Sequence, residues 1–182
     1  MSIYHAPLAE MRFVLDELAG LDQVAGLPGY DEATPDVVTA ILDEAAKFAA
    51  NVLDPLNAVG DREGAQRLSD GTVQTPAGFK DAYRQYCENG WNGLVKSTDY
   101  GGQGLPHLLG TAVEEMWHSS NLAFNLCAML TQGAIEAIAL RAGVHEPIEC
   151  FVFPLDGING MVMDAGDRKV VMLSSAAIER LN

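Results

Sequence analysis

Few residues of this 182-residue sequence have the types and spacing that chemistry needs. Glu114 and Glu115 are adjacent in a helical pattern, and neighbours on a helix point about 100° apart, so they cannot converge as a carboxylate pair. His107 and His118 have no carboxylate or cysteine at ligand spacing, which argues against a metal site. His118 precedes Ser119 and Ser120 and so suggests a base beside a nucleophile. Adjacent residues of one helix do not face each other, however, and a capping role suits the serines better. The glycines of Tyr100-Gly101-Gly102-Gln103-Gly104-Leu105-Pro106 suggest a phosphate-cradling turn that opens a helix. The spacing GGxG is not the GxGxxG of a dinucleotide fold, no Gly-Lys-Ser/Thr follows, and no convincing buried strand precedes it. A connector between helices is the better reading. His5, His145 and the acids of the tail form no constellation.

The elements that would position such residues are mostly helical. Leu8, Met11, Val14, Leu15 and Leu18 predict one apolar helical face over residues 7–19, with Gly20 at its end. Residues 21–30, with Gly26, Pro28 and Gly29, read as a connector. Thr34-Pro35-Asp36 supplies a capping hydroxyl, a first-turn proline and a favourable charge. Val38, Ile41, Leu42, Ala45, Phe48, Ala49 and Val52 follow on one face up to Pro55. Residues 56–74 are polar, with a turn at Asp70-Gly71 and a short extended piece at Thr72-Val73. Thr75-Pro76 repeats the start signal, and Phe79, Tyr83, Tyr86 and Cys87 form the next stripe until Asn89-Gly90. The loop Gly90-Trp91-Asn92-Gly93-Leu94 to Pro106 then separates this region from a helix over 108–119, where Ser119-Ser120-Asn121 can stop one helix and cap its successor. From 122 to 141 the chain is apolar nearly all round, which predicts a helix buried on most faces.

The tail changes character. Phe151-Val152-Phe153-Pro154-Leu155, a turn at 156–160, Met161-Val162-Met163, a turn at 165–167 and Val170-Val171-Met172-Leu173 before a short helical end predict a small hairpin or meander. Pro154 confines the first run to an edge strand.

Composition limits the function. A length of 182 residues, with 48% hydrophobic and 20% charged residues, suits one soluble globular domain with a sizeable core. A net charge of -14 with no basic cluster argues against a nucleic-acid surface. Cys87, Cys127 and Cys150 are too few and too far apart for a disulfide framework or a CxxC site, which favours a reduced, cytoplasmic chain. No segment reaches the roughly 18 apolar residues of a membrane span, and no secretory leader opens the sequence.

Three strings, taken in order, resemble the N-terminal helical domain of the flavin-dependent acyl-CoA dehydrogenases. They are the Gly90–Leu94 and Tyr100–Pro106 loop, the helix Thr111-Ala112-Val113-Glu114-Glu115-Met116, and Ser120-Asn121-Leu122-Ala123-Phe124 leading to Leu130-Thr131-Gln132-Gly133-Ala134. The opening Tyr4-x-Ala6-Pro7-Leu8-x-x-Met11-Arg12-Phe13-Val14-Leu15 is similar to the extension of the larger members, a subgroup that includes dehydrogenases acting on methylthiopropionyl-CoA and similar thioesters. The likeness covers residues 3–141. It implies an extension helix and connector over 1–33 and a helical domain over 34–141, and leaves an atypical tail over 142–182, either a β-hairpin or a poorly ordered stretch.

The resemblance implies α,β-dehydrogenation of an acyl-CoA thioester with FAD. In that reaction a carboxylate removes the α-proton while the β-hydrogen leaves as hydride to the flavin. The resemblance also implies that the helix over 121–133 lines the acyl-chain pocket. Helical spacing puts Phe124, Ala128 and Gln132 in one row of that helix, with Asn125 and Met129 beside it; apart from the resemblance, ordinary core packing is the favoured reading of such a row. After Arg141 the family pattern is lost: the β-domain motif that meets the flavin and the glutamate base have no counterpart here. The expectation is therefore a truncated, recombined or frame-altered product, or a separate short subunit, that is inactive alone. The alternative is a non-catalytic helical protein that associates with itself as a homo-oligomer or with a full-length dehydrogenase through faces the family buries.

Overall fold

The computed structural model describes residues 4–142, 148–153, 160–164 and 169–174, with side-chain surroundings given through residue 135. The turns read at 156–159 and 165–167, Pro154, His145 and the helical end after 174 lie outside the described residues. The chain divides into two compact units: residues 1–64 with 75–128, and residues 65–74 with 129–182.

The first unit is helical. Helix α1, Leu8–Phe13, continues as a π-helical turn, Val14–Leu18, and α2 follows at Leu21–Ala25. The wider π turn breaks the even apolar face expected over 7–19. Met11 and Leu15 are buried, whereas Val14 and Leu18 are exposed. The stretch expected to be a connector instead carries α2, whose Leu21 is buried. Gly20 adopts φ 70° at the junction.

Helix α3, Pro35–Phe48, starts as its sequence dictates: the Thr34 hydroxyl accepts the Val37 N–H at 3.4 Å and proline takes the first turn. Its end corrects the expectation. A second π turn, Ala49–Leu53, precedes α4, Asp54–Glu63, so the chain stays helical through Pro55. Proline has no N–H to give the preceding turn, and the turn that widens there is the one that would have received it. The change of pitch also makes Leu53 a fully buried core residue, while Val52 is only half-buried.

Helix α5, Phe79–Glu88, begins later than Thr75-Pro76 implies. Gly78, at φ 82°, is its N-cap, and the Ala77 N–H is taken by the Glu63 carboxylate at 2.8 Å. Helix α6, His107–Ala142, contains a non-helical residue, Asn121, with φ -156° and ψ 87°.

Leu42, Ala45, Ala49, Leu53, Leu109, Val113 and Met116 are inaccessible to solvent and form the centre of the first unit. Fully burying one such large aliphatic side chain contributes about 1.5–3 kcal/mol. An aromatic group closes the core: Tyr86 meets Trp117 edge-on at 5.2 Å, Trp91 meets Trp117 at 5.4 Å, and Phe48 lies 6.2 Å from Trp117. Edge-to-face pairs of this kind add about 0.5–1.5 kcal/mol beyond their area.

In the second unit, β1, Gln66–Arg67, pairs antiparallel with β2, Val73–Gln74. The Asp70 carboxylate holds the turn between them, accepting the Thr72 N–H at 2.9 Å and the Thr72 hydroxyl at 2.7 Å. The tail forms β3, Ile148–Phe153, β4, Gly160–Asp164, and β5, Lys169–Ser174, in the order β3-β5-β4. The β4–β5 pair is the expected hairpin. Strand β3 is an edge strand as expected, and it pairs with β5 in parallel, which a simple meander would not give.

Candidate functional site

The glycine-rich loop is folded onto itself. The N–H groups of Gly101, Gly102, Gln103, Gly104 and Leu105 go to the carbonyls of Thr98, Ser97, Gly93, Lys96 and Leu94, at 2.8–3.1 Å. The Gln103 side-chain amide donates to the Gly90 carbonyl at 3.0 Å. A phosphate cradle needs free N–H groups, and this loop has used its own. Gly102 is required for space: a Cβ there would run into the Lys96 carbonyl. Leu94, Leu105 and Pro106 anchor the loop in the core. It is the connector its spacing predicts, and it fixes the start of α6.

Asn121 shapes the second half of α6. Its side chain is 1% exposed and satisfied on both ends. Its Oδ1 accepts the Phe124 N–H at 3.0 Å, which caps the helix that follows. Its Nδ2 donates to the Leu53 carbonyl at 3.1 Å, tying the restart of α6 to the π turn before α4. Ser120 is buried, with its hydroxyl on the Trp117 carbonyl at 3.3 Å. The stop and cap at 119–121 are where the sequence puts them; the bond to Leu53, 68 residues away, has no local signal.

The predicted row divides. Phe124, Asn125 and Ala128 come together in the first unit, each 3% exposed or less. Phe124 packs on α5, with ring centroids 6.3 Å from Phe79, 6.4 Å from Tyr83 and 6.0 Å from Tyr86. Asn125 lies beside the His118 imidazole, with Nδ2 3.0 Å from Nδ1 and 3.2 Å from Nε2. Nδ1 is also 2.8 Å from the Glu114 carbonyl, to which only a protonated Nδ1 can donate. Met129 and Gln132 belong to the second unit, where Met129 is exposed and Gln132 half-buried. Leu122, Leu126, Leu130 and Ile135 are exposed, which corrects the expectation of a helix buried on most faces.

The other chemical candidates stay apart. His118 engages backbone and Asn125 rather than Ser119 or Ser120 as a base would. Glu115 is exposed; it lies near enough to Tyr4 to raise the phenol's pKa, an effect second to the phenol's own burial and opposed by the Ser119 hydroxyl. No cluster of three His, Cys, Asp or Glu suited to a metal occurs among the described residues. No described helix is long and apolar enough to cross a membrane.

A cleft of about 520 Å³ opens between α3 and the loop, with Ile41, Phe48, Trp91 and Leu94 in its lining and the Glu44–Lys47 ion pair, at 2.6 Å, on its rim. None of the predicted row lines it. Sequence reading missed this cleft, because its walls combine one side of α3 with loop residues such as Trp91, Leu94 and Gln103, which no sequence spacing links.

No protein-family model matches the chain. Over 137 residues it is 39% identical to the 3-methylmercaptopropionyl-CoA dehydrogenase of Ruegeria pomeroyi, an alignment covering 75% of this chain and 23% of that protein. The chain thus spans about a quarter of the length of the curated relative it matches. The likeness is to part of an acyl-CoA dehydrogenase, and the mostly helical fold agrees with it.

Proposed function

We propose that this chain supplies one helical wall, the part of α6 that follows Asn121, to an acyl-CoA-binding site of the acyl-CoA dehydrogenase kind. The reading rests on the 39% identity to a dehydrogenase named for an acyl-CoA thioester. The chemistry of the helix is in keeping with it. From Asn121 to Ile135 there is no charged residue, so an acyl chain could lie along it without stripping water from an ion. The residues assigned to the wall are Phe124, Asn125, Ala128, Met129 and Gln132. The first three hold the helix to its core, and Asn125 is itself held by His118.

FAD belongs to this reading as the family's cofactor, but the residues described here do not fit it: the amides of the glycine loop are internally bonded, and the loop is closed by its own core leucines. We therefore assign the flavin and the proton-abstracting carboxylate to no residue of this chain, and expect the chain alone to retain no flavin and to oxidise no acyl-CoA. A cytoplasmic setting suits Cys87, Cys127 and Cys150 as thiols.

A chimera tests the proposal. The matched 137 residues of the Ruegeria dehydrogenase are replaced by those of this chain, and oxidation of its acyl-CoA is assayed. The expected result is a folded, flavin-loaded and active chimera in which Met129→Lys lowers kcat/KM by about tenfold or more, since a buried unpaired ammonium against an acyl chain is costly. A folded, flavin-loaded chimera without activity would overturn the assignment. A second reading, a non-catalytic subunit that docks on itself or on a dehydrogenase, draws on the exposed Leu122, Leu126 and Leu130. Flavin retention by the chain alone would contradict both readings.

A further inference from the structure

Among the described residues, the three-stranded sheet of the second unit has β5 at its centre and β3 and β4 at its edges. Strand β3 reads Ile-Glu-Cys-Phe-Val-Phe and pairs with β5 along its whole length, from Ile148 with Lys169 to Phe153 with Ser174. An edge strand offers a row of backbone N–H and C=O groups to any further strand, and soluble proteins blunt such edges with lysine, proline or bulges. Strand β3 has none of these inside it. Its single charge is Glu149, and its prolines, Pro147 and Pro154, stand immediately outside. A six-residue, β-prone, nearly uncharged run without proline is the kind of segment that pairs with its own copy. The opposite edge is less suited, since β4 is shorter, starts with glycine and ends on Asp164.

We propose that β3 is a self-association edge, and that two copies of this chain join by antiparallel pairing of β3 with β3. The pairing is self-complementary under a two-fold axis: Ile148 stands opposite the second copy's Phe153, Glu149 opposite its Val152, and Cys150 opposite its Phe151. Parallel in-register pairing is the poorer solution, because it sets Glu149 beside Glu149, and like charges directly opposed destabilise a sheet. This inference is independent of the acyl-CoA reading, since it concerns only the tail.

The test is sedimentation equilibrium of the full chain across a wide concentration range. The expected result is a twofold rise from the 19.5 kDa of one chain. Val152→Pro and Phe151→Lys are each expected to return the mass to a single chain with the far-UV helical signal unchanged, while Leu126→Gln with Leu130→Gln leaves the dimer intact. A wild-type chain that stays monomeric throughout overturns the proposal. So does association that survives both β3 substitutions, or association lost only when Leu126 and Leu130 are replaced, which would place the interface on α6. Hydrogen exchange on the unsubstituted chain reads the same edge without disturbing the fold. The amides of Ile148–Phe153 are expected to slow as concentration rises, and exchange independent of concentration overturns the proposal.

Discussion

Replacing Asn121 by alanine removes two buried hydrogen bonds. Its Oδ1 caps the Phe124 N–H at 3.0 Å and its Nδ2 meets the Leu53 carbonyl at 3.1 Å, with the side chain 1% exposed. Loss of an N-cap costs about 1 kcal/mol, and loss of the further bond to the Leu53 carbonyl about 0.5–1.5 kcal/mol, so Asn121→Ala is expected to destabilise the chain by about 1.5–2.5 kcal/mol. For a chain of this size each kcal/mol lowers Tm by about 2–4 °C. The assay is urea unfolding followed by far-UV circular dichroism, with Asn121→Ser beside it. Serine can keep the cap but is too short to reach Leu53, so its cost is expected to fall between wild type and alanine. Asn121→Asp keeps the cap and turns a donor into a buried carboxylate facing a carbonyl, and is expected to be as damaging as alanine or worse. A loss below about 0.5 kcal/mol for alanine, the range of an ordinary surface change, would refute the account of how α6 is turned and tied.

Three further outcomes follow from the same structure. Gly102→Ala is expected to cost more than Gly101→Ala, because the first drives a methyl into the Lys96 carbonyl whereas the second meets open space and bears only the strain of φ 79°, about 1–2 kcal/mol; paired urea midpoints decide, and the reverse order would refute the loop's packing. The Asp70 carboxyl is held below its ordinary pKa of 3.8 by the Thr72 hydroxyl and then the Thr72 N–H. Its folded pKa is depressed, so the stabilisation of the β1–β2 turn is fully present above the ordinary value and is lost as pH falls through the folded one; a carbon-13 NMR titration of the carboxyl checks this, and Thr72→Ala is expected to raise the midpoint. Inserting one alanine between Ser120 and Asn121 rotates all that follows by about 100° and takes Phe124 off its aromatic neighbours, a loss comparable to the about 3–5 kcal/mol of a buried Phe→Ala change. Calorimetry is expected to show a far larger drop in Tm than an insertion after Thr131 gives, and a tolerated insertion at 120 would refute the packing of this helix.

How much of this was legible depended on whether the deciding interaction was local. Thr34-Pro35 and Thr75-Pro76 carry the same start signal, yet only the first begins a helix. At Thr34 the hydroxyl reaches the Val37 N–H within its own turn. At the second, the Glu63 carboxylate captures the Ala77 N–H and Gly78 turns the chain, so α5 starts at Phe79. That competitor lies 14 residues upstream, beyond any capping rule. Pro55 misleads for a related reason. A proline inside a helix is destabilising only where the ladder stays α, and here the preceding turn widens to i→i+5 bonding, so the helix survives and the buried phase shifts from Val52 to Leu53.

The break at Asn121 has the opposite effect on sequence reading. Buried positions run Leu109, Ala112, Val113, Met116, Trp117, Ser120, Asn121, Phe124, Asn125 and Ala128, one unbroken helical rhythm across a residue that is not helical. The break keeps the phase that the π turns shift, so the helical rhythm picks out Phe124, Asn125 and Ala128 as buried but extends wrongly to the exposed Met129 and the half-buried Gln132, and misjudges the outer face. Periodicity reports which residues share a side; it does not report whether a second surface is present to cover the other side. Leu122, Leu126 and Leu130 are as apolar as Leu109 and follow the same spacing rules, and nothing in their types separates a core face from an exposed one. The His118–Asn125 contact was illegible for the complementary reason. It joins residues seven apart across the break, a pairing that follows from the two bonds of Asn121 and from no propensity of histidine or asparagine. The candidate wall therefore owes its position to three buried polar side chains, Ser120, Asn121 and Asn125, and its apolar residues occupy the places those three leave for them.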